Sequence, residues 1–287
     1  MPELPEVETI ARGLAGCVAG DVIDSVWLGT KPEPLKSRAV EIIDTLESKR
    51  IAQVRRVGKH LVFDLEPGEQ TSLSVRRGAK RAKTNTTRSA PAQWIVHLGM
   101  TGRMLVCPAD QPVAKHTHAI ARLASGRELR FVDPRRFGRL SVARGFRAPG
   151  SEPLEVEGES FVKLFRGRKT PIKSALLNQK LLSGVGNIYA DESLFRAAIR
   201  PRRRAASLSR EELRRLYRAV QAVLQEAIAL GGSSVSDYVG ADGEEGLFQL
   251  EHRVYGREGQ PCLVCKTPVR RLVIAGRSSH YCPRCQR

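Results

Sequence analysis

Cys262-Leu-Val-Cys265 and Cys282-Pro-Arg-Cys285 are two CxxC knuckles separated by 16 residues, and no other stretch of the sequence says as much about the fold. At that spacing two tight turns present four thiolates tetrahedrally, the geometry of a closed zinc site. Two disulfides or a redox pair are the alternative, and paired knuckles in a chain that opens on no secretion signal favour zinc. The cysteines fill all four ligand positions, so the predicted ion is structural. Between the knuckles, Gly276-Arg277-Ser278-Ser279 reads as a turn that the metal fixes and that offers a guanidinium to a phosphate. Cys17 and Cys107 sit in apolar runs and read as buried core thiols.

Outside the knuckles the chain is basic throughout. It holds 48 Lys+Arg against 30 Asp+Glu in 287 residues, a net charge of +18. Divided at residue 155, the balance is 25 against 17 and then 23 against 13, so both halves attract a polyanion, and nucleic acid is the commonest one. No run approaches the roughly 18 apolar residues of a spanning helix. The opening Met-Pro-Glu-Leu-Pro-Glu is acidic where a signal peptide is basic and then apolar. These features predict a soluble, cytoplasmic protein with no membrane partner and, by length, two domains.

Val7, Ile10, Ala11 and Leu14 share a helical face, as do Ala39, Ile42, Ile43 and Leu46. Alternating runs predict strands at 60–65, 94–98, 103–107, 118–123, 128–132 and 139–143. A polar insertion at about 67–91 carries Arg76, Arg77, Lys80, Arg81, Lys83 and Arg88 and reads as a disordered basic loop. An acidic linker at 151–160 separates this β-rich domain, 1–150, from a helical one, 161–248. In the latter, Ser209-Arg-Glu-Glu212 is a capping box and Gly231-Gly232 a stop. Asn187 fits an N-cap at a phosphate-binding helix terminus. The stretch at about 232–246 is either a connector or a loop over a site, and 249–287 is the zinc finger.

Together these motifs resemble the formamidopyrimidine-DNA glycosylase family over nearly the whole chain. The matches run in family order through Pro2-Glu-Leu-Pro-Glu-Val-Glu8, Gly58-Lys59-His60-Leu61, His97-Leu-Gly-Met-Thr-Gly102, Lys115-His-Thr-His118 and Asp133-Pro-Arg-Arg-Phe-Gly138. They continue through Gly184-Val-Gly-Asn-Ile-Tyr-Ala-Asp-Glu192, Tyr255-Gly-Arg-Glu-Gly259 and the knuckles. The resemblance implies an α+β fold: an N-terminal β-sandwich with flanking helices, then a helix-two-turn-helix domain ending in a zinc-stabilised β-hairpin. DNA is expected between the two, with 232–246 as a loop that caps the lesion. The implied partner is damaged double-stranded DNA, bound by a monomer that associates with the nucleoid, and the implied cofactor is one structural zinc.

It also implies a base-excision repair chemistry for oxidised purines such as 8-oxoguanine and formamidopyrimidines. Removal of Met1 exposes Pro2, whose amine attacks C1′ of the flipped nucleotide, displaces the base and leaves an iminium (Schiff-base) link; β,δ-elimination then cleaves the strand. Glu3 exchanges a proton with the sugar oxygen, Lys59 contacts phosphate and assists β-elimination, and Arg277 assists δ-elimination. Met100, Arg135 and Phe137 fill the void left by the flipped base. His118, Arg136, Lys169 and Asn187 contact DNA, while Glu6 and Glu8 remain structural. Thr101 replaces the usual Ser of the wedge loop, and Asn178 the common Asp. The endonuclease VIII branch, which favours oxidised pyrimidines and begins Pro-Glu-Gly-Pro-Glu, is the nearest rival; Leu4 argues for the purine branch. A catalytically inactive DNA-binding module is the other alternative.

Overall fold

A computed structural model describes residues 1–68, 90–233 and 246–287. The basic stretch Arg76 to Arg88 and all but the ends of the 232–246 segment lie outside the described residues. Chain order is α1 (Leu4–Val18), β1 (Val22–Leu28), α2 (Ala39–Leu46), β2 (Lys49–Val57), β3 (His60–Pro67), β4 (Ala92–His97), β5 (Arg103–Pro108), β6 (Thr117–Leu123), β7 (Arg127–Val132) and β8 (Arg139–Arg144). Helices α3 (Gly158–Phe165), α4 (Ile172–Leu176), α5 (Asn187–Arg196) and α6 (Arg210–Ala229) follow, then the hairpin β9 (Arg270–Ile274) and β10 (Arg277–Tyr281).

The chain forms two compact units whose division is not linear. One holds Ala11–Arg55 and His60–Phe146; the other holds Pro2–Ile10, Arg56–Lys59 and Arg147–Arg287. The motif at the start of the chain therefore belongs to the unit that carries the helices and the finger.

In the first unit the strands follow the order β5-β7-β6-β1-β2-β3-β4-β8. β1 and β2 pair only at Val22↔Arg50 and Ile23↔Lys49, so two four-stranded antiparallel halves share a narrow joint. The six strands expected from alternation are present. β1 and β2 were hidden because their buried positions do not alternate. Phe63 and Trp94, 5.0 Å apart between ring centroids, stack in the core. Cys107 is buried as expected, but Cys17 is exposed, since α1 turns Leu14 and Val18 inward and leaves Cys17 at the edge of that stripe.

The second unit is organised by α6. Its buried Leu213, Leu216, Val220, Val223, Leu224 and Ala227 form one stripe, packed with Phe161, Phe165, Leu176, Tyr189 and Leu4. The predicted capping box is complete, with Glu212 N–H donating to Ser209 Oγ and Ser209 N–H to the Glu212 carboxylate. Gly231 and Gly232 adopt φ of 74° and 84° after its last turn. Segment 151–160 is built in: Glu152 takes both Arg56 Nη atoms at 2.8 and 2.9 Å, and Val156 O accepts from Tyr217 Oη. No described helix is long and apolar enough to cross a membrane.

A candidate active centre and DNA-binding surface

Glu3 and Lys59 are both buried and both belong to the second unit. Lys59 occupies the Gly58-Lys59 turn between β2 and β3, where Gly58 has φ of 61°. Glu3 precedes α1. Its backbone N–H donates to Glu6 Oε2 at 2.7 Å, and its Oε1 accepts from Ile188 N–H at 3.2 Å, at the start of α5.

This contact explains the glycines before α5. The N-cap is Gly186 and not Asn187, and the position admits only glycine, since a Cβ there would lie 2.2 Å from Glu3 Cδ. The Glu3 carboxylate takes the place of a cap side chain, facing the N–H groups and positive end of the helix. Its other oxygen, Oε2, is buried with no hydrogen-bond partner among the described residues. Burial pushes the Glu3 carboxyl up to about 7, against the charge of Lys59 and the N–H groups of Ile188 and Tyr189, which pull it down. Burial also lowers the Lys59 ammonium, which Glu3 and Glu6 raise and Arg277 lowers further. Lys59 makes no hydrogen bond or ion pair with any other described residue.

Glu6 and Glu8 hold this arrangement. Glu6 accepts from Glu3 N–H, from Ser233 N–H at 2.8 Å and from the Tyr189 hydroxyl. Glu8 accepts from Arg56 Nε at 2.9 Å. Pro2 is half-buried beside Glu3 in sequence.

The finger is formed as expected. Sγ atoms of Cys262, Cys265, Cys282 and Cys285 all lie within 4.8 Å of one another, with Cys262–Cys285 at 3.9 Å and Cys265–Cys282 at 3.4 Å. A tetrahedral zinc with bonds of about 2.3 Å requires sulfur separations of roughly 3.8 Å, so the cluster fits the ion. The four cysteines form the site of one structural zinc and would fill all of its ligand positions. Arg277 is not in the turn but is the first residue of β10, opposite Ile274. The turn is Ala275-Gly276, both at positive φ, which suits a two-residue hairpin. Arg277 is exposed; Asn187 is half-buried and donates from Nδ2 to Ser278 Oγ at 3.3 Å. Lys169 is exposed before α4.

In the first unit, Met100, Arg135 and Phe137 all project from loops, exposed. Arg135 Cζ lies 4.7 Å from the centre of the Phe137 ring. The residue that unites these loops is the fully buried Asp133, which heads the motif of Arg135 and Phe137 but was given no role from sequence. It accepts from Thr101 Oγ1 at 2.5 Å, Arg135 N–H at 3.2 Å and Gly138 N–H at 2.7 Å. Thr101 thus uses the hydroxyl it shares with serine. Arg136 is exposed and pairs with Glu33 at 2.8 Å. His118 is not on the surface: it is buried with Nε2 at 3.0 Å from Asp133 O, which makes it a support of the Asp133 loop.

Comparison with known proteins gives these features one context. Residues 1–140 match the formamidopyrimidine-DNA glycosylase N-terminal domain, 148–239 the H2TH domain of the same enzymes, and 259–287 a zinc finger found in FPG and IleRS. The chain is 45% identical to a formamidopyrimidine-DNA glycosylase of Thermus thermophilus, covering 100% of this chain and 98% of that one. It is 41% identical to one of Solibacter usitatus, covering all of both. The crystal structure of a Thermus thermophilus MutM (Fpg) protein superposes with a TM-score of 0.81 at 42% identity, over 99% of this chain and 98% of that one. A Lactococcus lactis Fpg bound to DNA containing an abasic site gives 0.83 at 30% identity, over 99% of each chain. The chain belongs to the formamidopyrimidine-DNA glycosylase family, DNA-repair glycosylases with a DNA-binding helical domain and a zinc finger.

Proposed function

We propose that this protein flips oxidised purines out of duplex DNA and excises them through a Schiff base on Pro2, then cleaves the abasic strand by β,δ-elimination. The carrying observation is Glu3: a carboxyl buried at the start of α5, with one oxygen unpartnered among the described residues and a pKa near 7. Such a group exists in both protonation states at neutral pH, which is what exchanging a proton with the opening sugar oxygen requires.

Once Met1 is removed, the Pro2 amine has an ordinary pKa of about 7.7 to 8.0, and the N-terminal end of α1 disfavours its protonation. The neutral amine attacks C1′; the C1′–N bond breaks and the base departs. Glu3 delivers a proton to the ring oxygen as the iminium forms, and the same carboxylate then accepts protons during elimination. Lys59 is buried, unpaired among the described residues and of lowered basicity, properties that suit a phosphate contact able to shed a proton in β-elimination. Arg277 assists δ-elimination and, with Asn187 and Lys169, grips flanking phosphates. Arg136 adds a contact from the first unit, where Met100, Arg135 and Phe137 fill the emptied stack. Formamidopyrimidine DNA in a complex of the Lactococcus lactis protein supports a purine-derived substrate.

Borohydride trapping tests this. An 8-oxoguanine:cytosine duplex is expected to yield a covalent adduct, and Pro2→Gly or retention of Met1 to suppress excision. An oxidised-pyrimidine duplex trapped in preference would place the protein with the pyrimidine branch. No adduct with either duplex would sink the enzymatic reading.

A further inference from the structure

Lys173 and Asp191 are an ion pair without any exposed side-chain surface, with Nζ 2.6 Å from Asp191 Oδ1. They stand on α4 and α5, and both reach the hairpin. Lys173 Nζ also donates to Ser278 O at 2.6 Å. Asp191 Oδ2 accepts from the backbone N–H of His280 at 2.8 Å and lies 3.3 Å from His280 Nδ1. One carboxylate and one ammonium thus grip β10 by a carbonyl and an N–H two residues apart, directly after Arg277. Asn187 adds its bond to Ser278 Oγ from the first turn of α5.

Removing a lysine and an aspartate from water is expensive, and such a pair is often no more stabilising than well-packed apolar side chains. What it supplies is a defined geometry, because charge-assisted hydrogen bonds tolerate little displacement. The four cysteines hold the finger's knuckles together, and the β9–β10 ladder holds its two strands together. Phe195 of α5 packs with Cys262 and Cys282, which seats the knuckles on the end of that helix. At the strand that carries Arg277, the bonds to α4 and α5 are those of Lys173, Asp191 and Asn187.

We propose that Asp191, with Lys173 as its counter-ion, is a positioning residue that sets Arg277 relative to α5 independently of the zinc. The proposal rests on the reading of Arg277 as a phosphate contact. Asp191 touches neither DNA nor the reacting atoms in this scheme; it acts through the β10 backbone.

The test is a double-mutant cycle read by the salt dependence of binding to a duplex containing a tetrahydrofuran abasic analogue. Arg277→Ala is expected to reduce the slope of log K against log salt by about 0.9, one phosphate contact. Asp191→Asn is expected to reduce it by the same amount and to weaken binding on the order of tenfold, with one zinc per chain retained. The double variant should bind no more weakly than Arg277→Ala. Where Asp191→Asn proves unstable, Lys173→Met combined with Asp191→Leu replaces the pair by apolar volume, and the folded, zinc-bound double variant should still show the reduced slope. Additive losses, or a wild-type slope in either Asp191 variant, would overturn the positioning role while leaving Arg277 in place. A wild-type slope in Arg277→Ala would overturn the phosphate reading and this inference with it.

Discussion

Two lysine–carboxylate clusters are buried in the same unit, and they are built in opposite ways. In the Lys173–Asp191 cluster Asp191 Oδ1 stands 2.6 Å from the ammonium as an ion pair without accepting a hydrogen bond, Oδ2 accepts from His280 N–H, and Lys173 donates to Ser278 O. In the Glu3–Lys59 cluster, Glu3 spends one oxygen on Ile188 N–H and leaves the other unpartnered, and Lys59 makes neither hydrogen bond nor ion pair among the described residues. Burial raises the Glu3 carboxyl and lowers the Lys59 ammonium, so each is pushed toward neutrality. The difference separates two uses of buried charge. Charges that pair with each other specify geometry, whereas charges left unpaired retain capacity for a substrate and a proton.

The largest expected effect is on the unpaired side. Glu3→Gln keeps the shape of the side chain and an oxygen for Ile188 N–H but cannot exchange a proton. Single-turnover excision of 8-oxoguanine should fall about 10²- to 10⁴-fold, with affinity for the abasic-analogue duplex within about twofold of wild type. An amide variant that excised at the native rate would break the contrast, because Glu3 would then be only a helix cap.

How much of this contrast the sequence disclosed depends on whether a residue's role is carried by its neighbours in the chain. The four cysteines, the Ser209–Glu212 capping box and the glycine stop are local patterns with fixed spacing, and each is formed. The position of Glu3 in a motif was legible, but its contact with α5 was not, since Glu3 and Ile188 meet only in the fold. The cap is Gly186 and not Asn187, and the close approach of that carboxylate requires glycine there; the glycine pair was the available signal. Asp133 and Asp191 stood inside quoted motifs without a role, and Lys173 was missed, for the same reason. A lone charged residue in a helix or loop reads as solvated until its partners, distant in sequence, are known.

Next in size is the ion-paired cluster. Lys173→Met leaves the Asp191 carboxylate buried with only His280 to answer it, and removal of one partner from such a pair typically costs about 3 to 5 kcal/mol. Denaturant unfolding should register a loss of that order at pH 7, and adding Asp191→Leu should recover much of it. The equivalent change on the other side, Lys59→Met, is expected to cost less, because Glu3 can take up a proton near pH 7 and become neutral. Equal losses for the two lysines would erase the distinction between the clusters.

The smallest effect sharpens the same point through pH. In the folded chain Glu3 titrates near 7 instead of near 4.5, so folding favours its neutral form. The associated stabilisation is fully present below about 4.5 and is lost as pH rises through about 7, an amount on the order of 3 kcal/mol. Glu3→Gln removes that loss. The burial-raised carboxyl of Glu6 is common to both proteins and largely cancels in their difference. Thermal unfolding of wild type and Glu3→Gln at pH 5, 6, 7 and 8 should show the variant gaining on the wild type across this window, by several degrees in Tm at pH 8. Parallel profiles would mean that Glu3 is ionised throughout, and it would then lack the change of protonation that the proposed chemistry needs.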